Sequence, residues 1–333
     1  MRMQDLKNQF KEGSLGKRLY WTLMREKLVS LPEIWELIRE NDNVKGIEVN
    51  KKGIVLERAD GVKMYFDFSQ TICRAESHLI MEGDPEQEDI NAINKMLAAH
   101  GIDGLCGDVL DIGANAGLFT LTILKNNCDV RVHSFEPIRY SYDLMKRNLE
   151  LNEIDPSRVR INNVGMSDQK GEATFYLPGQ SEAASLKPIT DRFCMQASNG
   201  LTGEKIGQSV QEENCTLLTI DDYVKAEKIN NLKMIKIDTE GNELCVLKGG
   251  LKTIEKYQPF IYSELLRKHA SKFGYHPNDV IRLMNELGYS CYTIRNSKLV
   301  DVSEIEESTQ ETNFFFLHSI KHQELLNVVN RSN

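Results

Sequence analysis

With 333 residues, 41% of them apolar, the chain is long enough for one α/β domain with an N-terminal extension and too short for two large ones. Its negative mean hydropathy and lack of a long apolar run exclude a transmembrane helix, and a formal net charge of −8 argues against a nucleic-acid partner. Seven cysteines, odd in number and never in a Cys-x-x-Cys pair, indicate neither a zinc site nor a disulfide framework and match reduced thiols in a cytoplasmic protein.

Met1 to Tyr20 carries charges without an unbroken apolar core, so no secretory signal is expected there. Leu15 to Glu40 reads as helix, with Leu19, Leu23, Leu28, Leu31, Ile34, Leu37 and Ile38 on one apolar face and Pro32 starting a second helix. From Gly46 to Phe68 the period shortens to that of strands. Breaks at Lys52-Gly53 and Asp60-Gly61 read as hairpin turns, which predicts a small antiparallel sheet. Gly83-Asp84-Pro85-Glu86 then opens a helix through Leu97. Residues 1–82 are thus expected to form helices and a small sheet, and residues 83–333 the main domain, interrupted by a flap at about 171–214.

After Asp108 strands and helices alternate. The predicted strands are Val109–Ile112, Val130–Phe135, Val159–Val164, Met234–Asp238, Phe260–Glu264, Ser290–Ile294 and Phe314–Leu317. The predicted helices are Leu118–Lys125, Tyr140–Leu151, Leu244–Tyr257 and Pro277–Leu287. Such alternation predicts a mostly parallel, doubly wound α/β sheet with its ligand at the carboxyl ends of the strands. The polar excursion between Asp168 and Cys215 is too long for an ordinary connection and reads as a flap, an inserted hairpin or a partly disordered segment.

Five of those strand tips carry candidate chemistry. Asp111-Ile112-Gly113-Ala114-Asn115-Ala116-Gly117 runs from a buried strand through a glycine-rich turn into a helix, a geometry that brings a ligand against backbone. Asp111 disfavours a phosphate there, and Asn115 stands where the dinucleotide fingerprint needs its middle glycine. Glu136 ends the next strand, where an acid accepts both hydroxyls of a ribose. A positively charged cofactor bearing a sugar is the match, and S-adenosylmethionine fits. Asp168, in Asn163-Val164-Gly165-Met166-Ser167-Asp168, reads either as an acceptor for an adenine amine at the third strand tip or as plain turn chemistry.

The fourth strand ends in Asp238, Glu240 and Glu243, and Glu264 ends the fifth. Clustered carboxylates raise one another's pKa values and can supply a general base or hold a divalent cation. Glu243 suits the dipole of the helix it opens. Asp238 is the first candidate for base or metal ligand, with Glu240 and Glu264 positioning an acceptor. His269 is a further candidate base, set against the ordinary reading of a solvated histidine.

These segments together resemble the FkbM family of S-adenosylmethionine-dependent methyltransferases. The resemblance rests on Val109 to Gly117, Phe135-Glu136-Pro137, Asn163 to Asp168 with Gly171, Thr219-Ile220-Asp221-Asp222-Tyr223, and Ile235 to Glu243 continuing through Val246-Leu247-Lys248-Gly249. It implies a Rossmann-like class I methyltransferase sheet with an antiparallel last strand, which Asn313–Leu317 supplies. It also implies O-methylation of a hydroxyl on a sugar, a glycan or a secondary metabolite, with Asp111, Gly113, Asn115, Gly117 and Glu136 at the cofactor and Asp168 near adenine. A divalent metal is compatible with this pattern but is not indicated by it. Residues 1 to about 80 match no pattern and are candidates for a homodimer surface or for a cover over the acceptor. The competing readings are an NAD-dependent oxidoreductase on a similar sheet and a non-catalytic nucleoside-binding scaffold.

Overall fold

The computed structural model describes residues 43–66, 106–177, 211–295 and 298–323, together with residues 8–9, 39, 91, 197–198, 205–206 and 326. Apart from those isolated residues, the expected helices within 15–40 and 83–97 and the middle of the 171–214 excursion lie outside the described residues. The chain divides into two compact units, Met1–Asp67 with Cys73–Asp84, and Phe68–Ile72 with Pro85–Asn333.

In the first unit β1 (Val44–Asn50), β2 (Gly53–Arg58) and β3 (Lys63–Phe66) form an antiparallel sheet in that order. The two expected turns are present, and Asp60 Oδ1 accepts from the Val62 amide at 3.0 Å to tighten the second. Val55, Leu56, Val62 and Met64 are buried.

The second unit contains β4 (Gly107–Ile112), α1 (Leu118–Asn126), β5 (Val130–Phe135), α2 (Arg139–Leu151), β6 (Val159–Asn162), β7 (Gly165–Met166), β8 (Gly171–Leu177), β9 (Ala197–Ser198), β10 (Lys205–Ile206), β11 (Gln211–Leu218) and α3 (Ile220–Ala226). It continues with β12 (Leu232–Ile237), α4 (Glu243–Lys248), α5 (Leu251–Tyr257), β13 (Phe260–Glu264), α6 (Arg267–Lys272), α7 (Pro277–Glu286), β14 (Tyr289–Arg295), β15 (Lys298–Asp301) and β16 (Asn313–His318). The main sheet has the order β15-β14-β16-β13-β12-β4-β5-β6. Strands β13, β12, β4, β5 and β6 run parallel, and β16 inserts antiparallel between β13 and β14. Its central strands read as near-continuous apolar runs because both faces are covered. Leu110, Ile112, Ile235, Ile237, Ile261, Phe314 and Phe316 are almost fully buried in one core.

The differences from the sequence-based elements have local causes. The third strand stops at Asn162 rather than Val164, because the chain leaves the main sheet and Gly165–Met166 pairs with Leu217–Leu218 in a small sheet ordered β7-β11-β8. The two ends of the polar excursion pair as the antiparallel arms β8 and β11. The single helix expected from Leu244 to Tyr257 is two, α4 and α5, separated at Gly249-Gly250. There a Cβ on Gly249 would lie 2.1 Å from the Ser167 carbonyl oxygen, and the Gly249 carbonyl accepts from the Asp221 amide at 3.0 Å. Helix α3 was signalled by Thr219-x-x-Asp222: the Thr219 hydroxyl accepts from the Asp222 amide at 3.1 Å, as an N-cap does.

Candidate functional site

The tips of β13, β12, β4 and β5 lie side by side at one edge of the sheet, with Ile237 in register with both Ser263 and Ile112, and Ile112 with Phe135. The next residue on β12 is Asp238, on β4 Gly113 and on β5 Glu136, while Glu264 follows Ser263 on β13. The strand order reverses between β4 and β12, the switch point where open α/β sheets bind ligands.

The β4 turn is closed on itself. The Gly113 and Ala114 amides donate to the Phe135 carbonyl at 3.0 Å each, Gly117 donates to the Ala114 carbonyl at 2.8 Å, and Asn115 donates to Glu136 Oε2 at 2.8 Å. Buried Asn148 on α2 donates to the Ala116 carbonyl at 2.9 Å. Asn115 holds a left-handed φ of 48°, a conformation that asparagine tolerates better than most side chains. Four amides of this turn are therefore occupied internally, so they do not form the open cradle that a pyrophosphate needs.

Two acids flank the turn. Glu136 is buried, its Oε2 held by Asn115 and its Oε1 by the Ile138 amide at 2.8 Å. Burial pushes its carboxyl up to about 7, against the pull of those two amides and of the Lys236 ammonium. Asp111 is fully buried, and its Oδ2 accepts from Thr120 Oγ1 at 2.6 Å, which in turn meets Ser134 Oγ at 2.7 Å. Its Oδ1 lacks a hydrogen bond and lies 3.8 Å from Lys236 Nζ. Burial holds the Asp111 carboxyl above the usual carboxylate range, with Lys236 opposing.

The second group of acids occupies the neighbouring tips. The Asp238 amide donates to the Ile112 carbonyl at 3.0 Å, and its carboxylate stays partly open to solvent. Glu240 holds a left-handed φ of 56°, and such backbone outliers concentrate at functional sites. His269 Nδ1, on α6, lies 2.6 Å from Glu240 Oε2, an ion-pair distance but out of line for a hydrogen bond. Burial first, then the Asp238 and Glu240 charges, push the Glu264 carboxyl well above its ordinary value. Glu243 stands apart from this group as a loop staple: its Oε1 accepts from the Thr239 and Gly241 amides at 3.0 and 2.9 Å, and its Oε2 from the Tyr275 hydroxyl at 2.9 Å.

Asp111, Gly113, Asn115, Gly117 and Glu136 thus form one cluster and Asp238, Glu240, Glu264 and His269 a second, joined where Asp238 meets Gly113. Asp168 is the exception. It is exposed beyond β7, accepting from Ser167 Oγ at 3.2 Å, whereas the β6 tip carries Asn162 and Asn163. Three residues not singled out in the sequence, Lys236, Thr120 and Ser134, complete the polar interior. A lysine inside the apolar strand Met234–Ile237 was the available signal. Among the described residues no group of three or more His, Cys, Asp or Glu is placed to hold a metal ion, and no helix is long and apolar enough to cross a membrane.

A mostly parallel sheet with this strand order, the antiparallel β16 inserted between β13 and β14, and helices on both faces define the class I methyltransferase fold. Residues 111–291 match the model of the methyltransferase FkbM domain, and the chain belongs to that family. It is 25% identical over 166 residues to the 31-O-demethyl-FK506 methyltransferase FkbM of Streptomyces tacrolimicus, covering 45% of this chain and 62% of that protein. It is 28% identical over 182 residues to the hexuronic acid methyltransferase AglP of Haloferax volcanii, covering 54% and 62%. To methyltransferase sdnD of Sordaria araneosa it is 27% identical over 155 residues, covering 42% and 59%. The chain spans less than two thirds of the length of these curated relatives. Among solved structures it is similar to methyltransferase FkbM of Methylobacillus flagellatus, with 18% identity and a TM-score of 0.38 over 63% of this chain and 43% of that one.

Proposed function

We propose that this methyltransferase uses S-adenosylmethionine to methylate a hydroxyl of a sugar, a glycan or a secondary metabolite. One observation carries the reading: acids stand at the ends of four adjacent strands around a turn with four of its amides already occupied. A pyrophosphate would meet carboxylates and no free amide cradle there, which disfavours NAD. A cation carrying a ribose meets complementary groups. Glu136 keeps one lone pair on each oxygen after accepting from Asn115 and Ile138, enough for two ribose hydroxyls. The orphaned Asp111 Oδ1 adds negative potential beneath the turn that Gly113, Asn115 and Gly117 shape. The donor set fits the group.

S-adenosylmethionine, when bound, supplies a methyl group that already carries its leaving group. The chain's task is then to hold the acceptor and take its proton. Asp238, partly open to solvent, is the base that accepts the hydroxyl proton as the oxygen forms its new bond. Glu264, at the neighbouring tip, hydrogen-bonds an acceptor hydroxyl, and Glu240 with His269 fixes the acceptor's other side. Alignment of this kind lowers the barrier by several kcal/mol. The relatives named for demethyl-FK506 and for a hexuronic acid support a hydroxyl on a polyketide or a sugar.

The test is calorimetry with S-adenosylhomocysteine and NAD, followed by transfer of tritiated methyl to methyl glucoside, glucuronic acid and a macrolide polyol. S-adenosylhomocysteine is expected to bind and NAD not. Asp238→Asn is expected to bind S-adenosylhomocysteine as the wild type does and to lose turnover. Binding of NAD alone overturns the cofactor, and full activity of Asp238→Asn overturns the base.

A further inference from the structure

We propose that Lys236 is a positioning residue for methyl transfer, its ammonium holding the Asp238 carboxylate against the cofactor turn. The inference rests on the reading of Asp238 as the base.

Lys236 lies on β12 directly opposite Asp111 on β4, and two residues before Asp238 on the same face of the strand. It is buried, and its Nζ sits 3.3 Å from Asp238 Oδ2, 3.3 Å from the Gly113 carbonyl oxygen and 3.8 Å from Asp111 Oδ1. The ammonium thus faces three oxygens from two chain segments, the tip of β12 and the end of β4 with its turn, and donates to the nearer two, Asp238 Oδ2 and the Gly113 carbonyl. The Phe119 ring, 5.8 Å away on α1, lies under the same ammonium. Nothing about a counter-ion for Asp111 alone requires this arrangement. The ammonium is closer to Asp238 than to Asp111, although Asp111 is the fully buried acid and Asp238 is partly solvated. Its shorter contacts tie the tip of β12 to the turn after β4, the two sides between which a methyl group would pass. Lysine is suited to this because its donors fan out from one point, whereas a planar guanidinium would favour one carboxylate.

A simple Lys236→Met change would leave Asp111 buried without its counter-ion and endanger the fold. The informative comparison is therefore Asp111→Asn against Asp111→Asn/Lys236→Met, in which no buried charge is abandoned. The kinetics use tritiated S-adenosylmethionine at saturation and whichever of methyl glucoside, glucuronic acid or macrolide polyol the wild type methylates fastest. A positioning role predicts that kcat of the double variant falls on the order of 100-fold below that of Asp111→Asn, with KM for the donor and the S-adenosylhomocysteine Kd within threefold. Equal kcat in the two variants overturns the inference and leaves Lys236 as a counter-ion for Asp111. Full activity of Asp238→Asn, by contrast, overturns the base while the Lys236 comparison is read separately. A crystal structure of the double variant gives a reading independent of any acceptor: Asp238 is expected to swing away from the Gly113 carbonyl, and an unmoved Asp238 overturns the proposal.

Discussion

Gly113 and Asp238 belong to different strands, yet their backbones touch: a Cβ on Gly113 would lie 1.7 Å from the Asp238 carbonyl oxygen. The glycine, with its φ of 79°, is required by this approach of one strand tip to another as much as by any ligand. Gly113→Ala is expected to destabilise the protein by about 3 kcal/mol through overpacking and left-handed strain. Gly171→Ala, where nothing lies within 4 Å, is expected to stay within about 0.5 kcal/mol of the wild type. Urea unfolding of the two variants decides it, and equal midpoints would refute the argument.

Glu136 makes stability depend on pH. Its carboxyl sits at about 7 in the fold against an ordinary 4.5, so between these values the folded chain binds more protons than the unfolded one. Stability therefore falls as pH rises through that window, by about 3 kcal/mol from this group at roughly 1.4 kcal/mol per pKa unit. The raised carboxyls of Asp111, Glu243 and Glu264 act with the same sign. Urea midpoints measured from pH 5 to pH 8 are expected to decline, and Glu136→Gln is expected to flatten part of that slope.

On the proposed reading of Glu136 as the ribose acceptor, the same ionisation governs the ligand. Ribose hydroxyls donate better to a carboxylate than to a carboxylic acid, so S-adenosylhomocysteine is expected to bind more tightly at pH 8 than at pH 6. Glu136→Gln is expected to weaken binding by roughly 10- to 100-fold, the worth of hydrogen bonds to a charged acceptor, and to remove the pH dependence. Calorimetry at the two pH values is the measurement.

Thr120 holds the buried Asp111. Thr120→Val keeps the shape and removes the donor to Asp111 Oδ2 and the partner of Ser134, so a loss of about 1–3 kcal/mol is expected. Thr120→Ser is expected to recover most of it. A valine variant as stable as the wild type in urea would show that Asp111 finds another partner.

The described cysteines should separate by reactivity. Burial pushes the Cys215 thiol up to about 12 and raises Cys291 as well, whereas Cys106 and Cys128 are exposed. Iodoacetamide on the native protein is expected to label Cys106 and Cys128 and to spare Cys215 and Cys291 until unfolding. Mass spectrometry of the labelled peptides reads the outcome.

Much of the sheet was legible because its strands are short apolar runs ending in punctuation. Val130–Phe135 and Phe260–Glu264 match the structure to the residue. The acids at the tips were legible for the same reason, since a charge after a buried run marks where a strand leaves the core. Lys236 escaped because its charge lies inside the run, where only the neighbouring strand explains it. The break at Gly249-Gly250 escaped too, since helical periodicity continues across it and the cause is the Ser167 carbonyl, distant in sequence. The course of the chain into Asp168 was not legible, because an apolar run ending in Ser-Asp cannot say which of two sheets it joins.

Sequence alone determined the fold class, the family and the acids of the switch point, because periodicity, turn chemistry and strand ends are local properties. Tertiary structure decided what each acid does. Two carboxylates of similar sequence setting, Glu240 and Glu243, become a partner for His269 and a loop staple. Asp111 and Asp238, 127 positions apart, share one ammonium because β4 and β12 are neighbours in the sheet. Proximity across strands, and the loss of water that accompanies it, sets charge and proton affinity, and neither can be read along a single strand.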